Sequence, residues 1–268
     1  MSTHPRDGQT GPVRVTRPNA QFQQWQALLT NRTKRHREGA FLVQGVRPIT
    51  LAEEHDWQVR TVLYDADRRL SDWARALVGR HEAVGLSADL LAELAGKDAE
   101  VVAVVATRDE QLPPDVPDLF AVCLDRPSSP GNLGSVVRSA DAFGAHGVVV
   151  AGHAADPYDP QAVRASTGSL FSLPVVRSER PDDVLDAIGD RVTVLGSDET
   201  GDLDLHAADL TGPVLLVVGN ETRGMSAAWR ERCDHVLRIP IRGSASSLNA
   251  ANAATVLLYE AARQRHLS

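Results

Sequence analysis

Apolar residues follow two patterns along this chain. Short runs rich in valine, leucine and isoleucine, as expected of strands, alternate with stretches in which apolar residues recur every three or four positions, as expected of helices. In the first half, Phe22, Trp25, Leu28 and Leu29 share one helical face, and the basic run 31–39 (NRTKRHREG) reads as a loop. Strands are expected at 41–43, 59–64 and 101–107, with helices at 47–55, 70–79 and 88–94, which implies an α/β sandwich. The second half repeats the alternation with strands at 119–124, 148–151, 192–196, 214–218 and 236–241. These runs are so uniformly apolar that a parallel sheet buried on both faces by helices is expected.

Proline punctuates the pattern most strongly at 112–118 (LPPDVPD), which marks a linker. The organisation expected is a flexible basic arm at 1–18, a first domain at 19–111, the linker at 112–118 and a second domain at 119–268. A length of 268 residues with 43% hydrophobic content accommodates two cores of this size. Cys123 and Cys233 stand far apart without metal-ligand spacing, so they are expected to pack as small apolar residues, with no disulfide framework and no metal site. No apolar run has the length of a secretory core or a membrane span, which points to a cytoplasmic protein.

The net charge of −7 argues at first against a nucleic-acid partner, but it is unevenly distributed. Residues 1–50 carry eight Lys/Arg against two Asp/Glu, so a front end of +6 precedes a body of −13. A basic front end of this kind suits phosphate contacts, whereas residues 1–18 by themselves read better as a solvated arm.

In parallel sheets, ligands gather beyond the carboxyl ends of the strands. Three loops in such positions are polar or glycine-rich. In the first, DRPSSPGNLGSVVRSADAFGAHG (125–147), Pro130 and Gly131 are expected to turn, Asn132 to cap the next helix, and Arg138 to sit about two turns into it. A dinucleotide loop is the competing reading, but GNLG is not GxGxxG and no acidic residue ends the next strand. The second, VVGNETRGMS (217–226), offers Gly219 and Gly224 for backbone turns or close ligand approach and Glu221 as a carboxylate at a strand tip. In the third, LRIPIRGSASSLNAANAATVLLYEA (237–261), a strand runs into a Gly/Ser loop and then a helix opening with Ser247, Asn249 and Asn252 among alanines. This is either a pocket wall or simply a helix capped by Ser246 or Ser247 that buries Leu257, Leu258 and Tyr259.

Taken together, Asn132/Arg138, Asn220/Glu221 and Ser247/Leu248/Asn249, in this order and each behind a strand, resemble the three motifs of the SpoU (TrmH-type) branch of the SPOUT RNA methyltransferases. The stretch NRTKRHREGAFLVQGVRPI resembles the L30e-like RNA-binding domain that many of these enzymes carry in front. The resemblance implies an α/β chain whose second domain has a mostly parallel sheet and a deep trefoil knot. It implies methyl transfer from S-adenosylmethionine to a ribose 2′-hydroxyl by a homodimer. Over nearly its full length the chain is similar to the resistance methyltransferases of actinomycetes, which makes 23S ribosomal RNA the expected substrate and antibiotic resistance an expected outcome. A transfer-RNA substrate and a non-catalytic RNA-binding role are the alternatives.

By the same resemblance, Gly219, Asn220, Ile239, Ile241, Ser247 and Leu248 would hold the cofactor. Arg138, Asn132, Glu221, Ser247 and Asn249 would form the catalytic shell, and Arg32, Lys34, Arg35, Arg37 and Arg164 would contact RNA. A guanidinium keeps its proton at any physiological pH, so Arg138 is expected to act by electrostatic stabilisation rather than as a base. Arg164 is equally readable as a solvated helix arginine.

Overall fold

A computed structural model describes residues 14–113 and 116–267. The chain divides into two compact units, the first comprising the described residues up to Ile49 together with Asp56–Thr107, the second Thr50–His55 together with the chain from Arg108 onward. This division differs from the expected limits in giving Thr50–His55, the end of the expected first domain from Arg108 and the described part of the expected linker to the second unit. Residues 1–13 of the expected arm and 114–115 of the expected linker lie outside the described residues.

The first unit contains β1 (Arg14–Val15), α1 (Ala20–Thr30), α2 (Arg32–Glu38), β2 (Ala40–Gln44), the start of α3 (Val46–Glu54), β3 (Val59–Asp65), α4 (Asp72–Arg80), β4 (Ala83–Leu86), α5 (Ala88–Ala95) and β5 (Val101–Ala106). Its sheet has the order β1-β4-β3-β5-β2, in which β5 runs antiparallel to both β3 and β2 while β1, β4 and β3 are parallel. One core packs Phe22, Trp25 and Leu28 of α1 and Leu91 and Leu94 of α5 onto Leu63, Leu86 and Val102 of the sheet. Two expectations are corrected. The end of the expected arm is structured, since Arg14 and Val15 pair with Gly85 and Leu86. The basic run is a helix rather than a loop: the Asn31 side chain accepts from the Lys34 N–H and caps its start, and Gly39 at φ +55° ends it.

The second unit contains β6 (Phe120–Asp125), α6 (Pro130–Ala142), β7 (Gly147–Ala151), α7 (Pro160–Ser166), α8 (Ser169–Ser172), β8 (Val175–Ser178), α9 (Pro181–Ile188), β9 (Thr193–Ser197), β10 (Leu203–Asp204), β11 (Val214–Val218), α10 (Ala227–Arg230), β12 (His235–Arg238) and α11 (Ala250–Leu267). These seven strands form one sheet of order β10-β12-β9-β11-β6-β7-β8, and every pairing in it is parallel. β6, β7 and β11 are fully buried along their length, as continuous apolar runs require. One side of the core gathers Leu119, Cys123, Leu215, Val217 and Trp229. On α6 and α11, Leu133, Val137, Ala254, Leu257 and Leu258 are buried as well.

The close approach of α6 and α7 depends on Gly134, where a Cβ would meet the Ala162 carbonyl oxygen at 2.2 Å. Tyr259, expected in the core, is instead 54% exposed and stands edge-on to Phe143 at 5.8 Å between ring centroids. The expected strand at 236–241 stops at Arg238, because Pro240 cannot donate to a ladder, and residues 239–249 form a loop. Among the described residues no helix is long and apolar enough to cross a membrane.

Candidate active site

With all seven strands parallel, the loops that leave β6, β9, β11 and β12 emerge from the same sheet edge. Beyond β9, β11 and β12 they surround a cavity of about 620 Å³, within the usual size of a small-ligand site. Its walls are Ser197–Glu199 behind β9, Val218–Gly224 at the end of β11, Arg238, Ile239 and Ile241 behind β12, and Ala245–Leu248 with Ala250 and Ala253 where α11 begins.

The loop behind β6 begins α6 at the expected turn itself. Ser129 is the cap, its Oγ accepting from the Asn132 N–H at 3.2 Å, and Pro130 opens the helix. The Asn132 side chain, expected as the cap, is thereby free to turn outward toward Glu221. The loop behind β11 closes on itself through paired backbone hydrogen bonds between Asn220 and Gly224, with Asn220 Oδ1 accepting from the N–H groups of Thr222 and Arg223 and Gly224 at φ +66°. Gly219 is obligatory here, since a Cβ would meet the Met225 nitrogen at 2.2 Å. Behind β12 the long loop ends at Asn249, which caps α11 by accepting from the Ala251 N–H at 2.9 Å. Neither Ser246 nor Ser247 is that cap.

Side chains from all three loops join in one hydrogen-bonded series. The Asn249 amide donates to Asn132 Oδ1 at 3.3 Å, and the Asn132 amide donates to Glu221 Oε1 at 3.0 Å. Glu221 also accepts from the Ser128 hydroxyl at 2.7 Å and from the Ser128 and Ser129 N–H groups at 3.0 and 3.3 Å. Partial burial opposes its ionisation, but the donations from Asn132 and Ser128 outweigh that and hold its pKa at about 2. A carboxylate so fully engaged orients its neighbours and is a poor proton acceptor.

The remaining expected residues divide. Gly219, Asn220, Glu221, Ile239, Ile241, Ser247 and Leu248 all line the cavity. Asn132 and Asn249 stand on its rim through Glu221. Arg138 is exposed and lies six residues beyond Asn132 on α6, about 9 Å along the axis and roughly a third of a turn round the helix, so it joins neither the cavity lining nor the series within this chain. Arg164 is exposed near the end of α7 and is likewise absent from the cavity wall.

Arg35 is a correction: it is 2% exposed, and its guanidinium donates to the Leu28 carbonyl at 2.8 Å, closing the end of α1 rather than facing a ligand. Lys34 is mostly covered and paired with Glu38 at 2.9 Å, whereas Arg37 is largely exposed. Sequence reasoning missed Ser128 and Ser129, and it missed the whole β9 exit with Asp198 and Glu199. The rule that found the other three loops would have found this one had its shorter polar stretch been weighed.

The chain matches the SpoU rRNA methylase family model over residues 119–259 and the SpoU L30e-like domain model over residues 19–106. It is 57% identical to the 23S rRNA (uridine(2479)-2′-O)-methyltransferase of Streptomyces viridochromogenes, over 94% of this chain and 92% of that protein. The crystal structure of the SpoU methyltransferase AviRb from the same organism, in complex with AdoMet, superposes with a TM-score of 0.88 at 56% identity, covering 93% of this chain and 99% of that one. An AdoMet-bound rRNA methyltransferase from Sinorhizobium meliloti superposes with a TM-score of 0.84 at 30% identity, covering 95% of this chain and 98% of that one.

Proposed function

The chain belongs to the SpoU rRNA methylase family, and from that premise we propose that it transfers a methyl group from S-adenosylmethionine to a ribose 2′-hydroxyl of 23S ribosomal RNA. The observation that carries this reading is the series Asn249–Asn132–Glu221, which ties the three motif loops together at the rim of the 620 Å³ cavity. The uridine modified by the Streptomyces relative is the proposed target, and resistance to an antibiotic that binds the ribosome is the proposed consequence.

The cavity suits this cofactor. Ile241 and Leu248 are 38% and 39% exposed, so they leave apolar surface for an adenine ring. Gly219, Asn220, Ile239, Ile241, Ser247 and Leu248 would hold it. When bound, S-adenosylmethionine supplies an electrophilic methyl group on a sulfonium.

The residues of the chain then act by positioning and by charge. Glu221 fixes the Asn132 amide, Asn132 fixes the Asn249 amide, and Ser247 beside them offers a hydroxyl to the incoming ribose. Arg138 would stabilise the alkoxide that develops as the 2′-hydroxyl passes its proton to water, or clamp the adjoining phosphate. Because Arg138 lies outside the cavity lining, this role calls for a second copy of the chain. The exposed apolar stripe of Val256 and Tyr259 on α11, with Phe143 beside it, supplies a surface for such a homodimer. We infer that residues 237–261 thread through the preceding loops as the family's trefoil knot. Arg265, which donates to the carbonyls of Asp118 and Leu210, would hold its far end. Arg32, Lys34 and Arg37 of the first unit, and Arg164 of the second, are proposed to contact RNA phosphates. Ribosomal RNA as substrate implies work in the cytoplasm.

The test is incubation with labelled S-adenosylmethionine and unmethylated 23S ribosomal RNA, followed by mapping of 2′-O-methyl nucleotides. Transfer to a single uridine is expected, and transfer to no RNA overturns the reading. Arg138→Ala should abolish transfer with the fold intact, and sedimentation should show a dimer that Tyr259→Asp weakens.

A further inference from the structure

We propose that Arg126, seated on the buried carboxylate of Asp125, is a positioning residue that sets the Asn220–Glu221 loop against the loop carrying Asn132; the inference rests on the methyl-transfer reading of the cavity. Arg126 is the first residue past β6, and its backbone is left-handed at φ +54°. Glycine adopts that conformation freely and arginine does so at a cost, so the side chain is retained for what it contacts.

Those contacts converge on one loop. Arg126 Nε and Nη2 donate to the two oxygens of Asp125 at 3.0 and 3.1 Å, and Nη2 donates further to the Gly224 carbonyl at 3.3 Å. Asp125, 3% exposed, also accepts from the Ser226 N–H at 2.7 Å. The Arg126 carbonyl accepts from the Asn220 side chain at 2.7 Å. The Asp125–Arg126 pair thus holds the β11 loop at its start, its turn and its end. On the other side, the Arg126 N–H donates to the Ala151 carbonyl at 2.9 Å, and Gly152 makes room for the side chain, since a Cβ there would meet Arg126 Cγ at 2.9 Å.

Neither Asp125 nor Arg126 lines the cavity, so the pair acts through Asn220 and Glu221 and not on a ligand. A forked guanidinium is suited to bracket a carboxylate and a carbonyl together, whereas an ammonium is a single point of charge.

The test uses Arg126→Gly, which removes the guanidinium and suits the left-handed backbone, and Asp125→Asn, which keeps an acceptor for Ser226 but no ion pair. Three readouts are taken on the full chain: thermal midpoint, amide hydrogen exchange across residues 220–226, and kcat and KM for methyl transfer. Arg126→Gly is expected to lower the midpoint by a few degrees, because the buried Asp125 carboxylate loses its guanidinium while the backbone strain is relieved, to speed exchange of the loop amides at least about tenfold more than that of the rest of the second unit, and to lose about tenfold or more in kcat with little change in KM for RNA. Arg126→Lys should recover part of both. Wild-type exchange and wild-type kcat in both variants overturn the proposal. Lost kcat with a loop as protected as in the parent also overturns it, because Arg126 would then act directly. Should the parent itself transfer no methyl group, the methyl-transfer reading falls, while loop exchange still decides whether the pair anchors the loop.

Discussion

The two sheets of this protein are built from similar runs of valine and leucine, yet only one of them gathers a site. In the second unit every strand pairs in parallel, so the exits of β6, β9, β11 and β12 share one edge and their polar loops meet. In the first unit β1, β2, β3 and β4 also point one way and only β5 is reversed, but the exits of β2 and β4 are the single residues Gly45 and Ser87, which lead straight into α3 and α5 and leave little loop to build a wall. Where strands share a direction, the length of the loops behind them, such as residues 219–226 and 239–249 of the second unit, decides where chemistry can assemble. The first unit is left with surface charge on helices, suited to holding a polyanion, and the second with a concave wall, suited to a small molecule.

The largest break in that contrast should come from Gly219→Ala. A Cβ there meets the backbone at 2.2 Å, so the β11 loop must move, and cofactor binding by calorimetry should weaken by at least about a hundredfold, in keeping with a displaced binding loop. Glu221→Gln keeps the shape but weakens acceptance from Ser128 and Asn132, and kcat should fall by about ten- to a hundredfold, the loss of one or two charge-assisted hydrogen bonds. In the first unit, Arg35→Ala should act on stability alone, by about 1–3 kcal/mol in denaturant unfolding, because the Leu28 carbonyl loses its buried donor.

Acid should separate the two units. Glu221 and Glu260, both held at about 2, lie in the second unit. For Glu260 the chief cause is donation from Arg263. Their folded pKa values lie below the ordinary 4.5, so the stability they lend is complete above that value and is lost as pH falls toward about 2. In the first unit, Glu38 is the one described acid with a resolved shift, downward through donation from Lys34, and it lies at the surface. Hydrogen exchange followed from pH 5 to pH 2 should therefore show the second unit loosening first. Arg37→Ala should have the smallest effect, a few-fold rise in KM for RNA and a salt slope shallower by about one, with stability unchanged.

Much of the second unit was legible because parallel strands advertise themselves as unbroken apolar runs, and because a polar loop behind such a run invites a ligand. Edge strands were harder to find. β8 and β10 are partly exposed and short, so neither alternation nor a continuous apolar run marks them. The helix at Arg32–Glu38 was hidden by its charge: all-polar helices lack a periodic face, and only the cap at Asn31 and the glycine at its end betray it.

By itself the sequence determined the alternation of strands and helices and the central strands of each sheet, the division into a basic front and an acidic body, and the three motif loops with their asparagines, carboxylate and glycines. These are local properties, set by periodicity, capping chemistry and backbone freedom. Tertiary structure decided which of those residues meet. Asn132 faces Glu221 across 89 positions of chain and Asn249 across 117, and Arg126 reaches Gly224 across 98. The same folding turned Arg35 inward and left Arg138 outside the cavity wall. Such outcomes depend on strand order and on the close packing of α6, α7 and α11, which are sums over distant contacts that no short window of sequence contains.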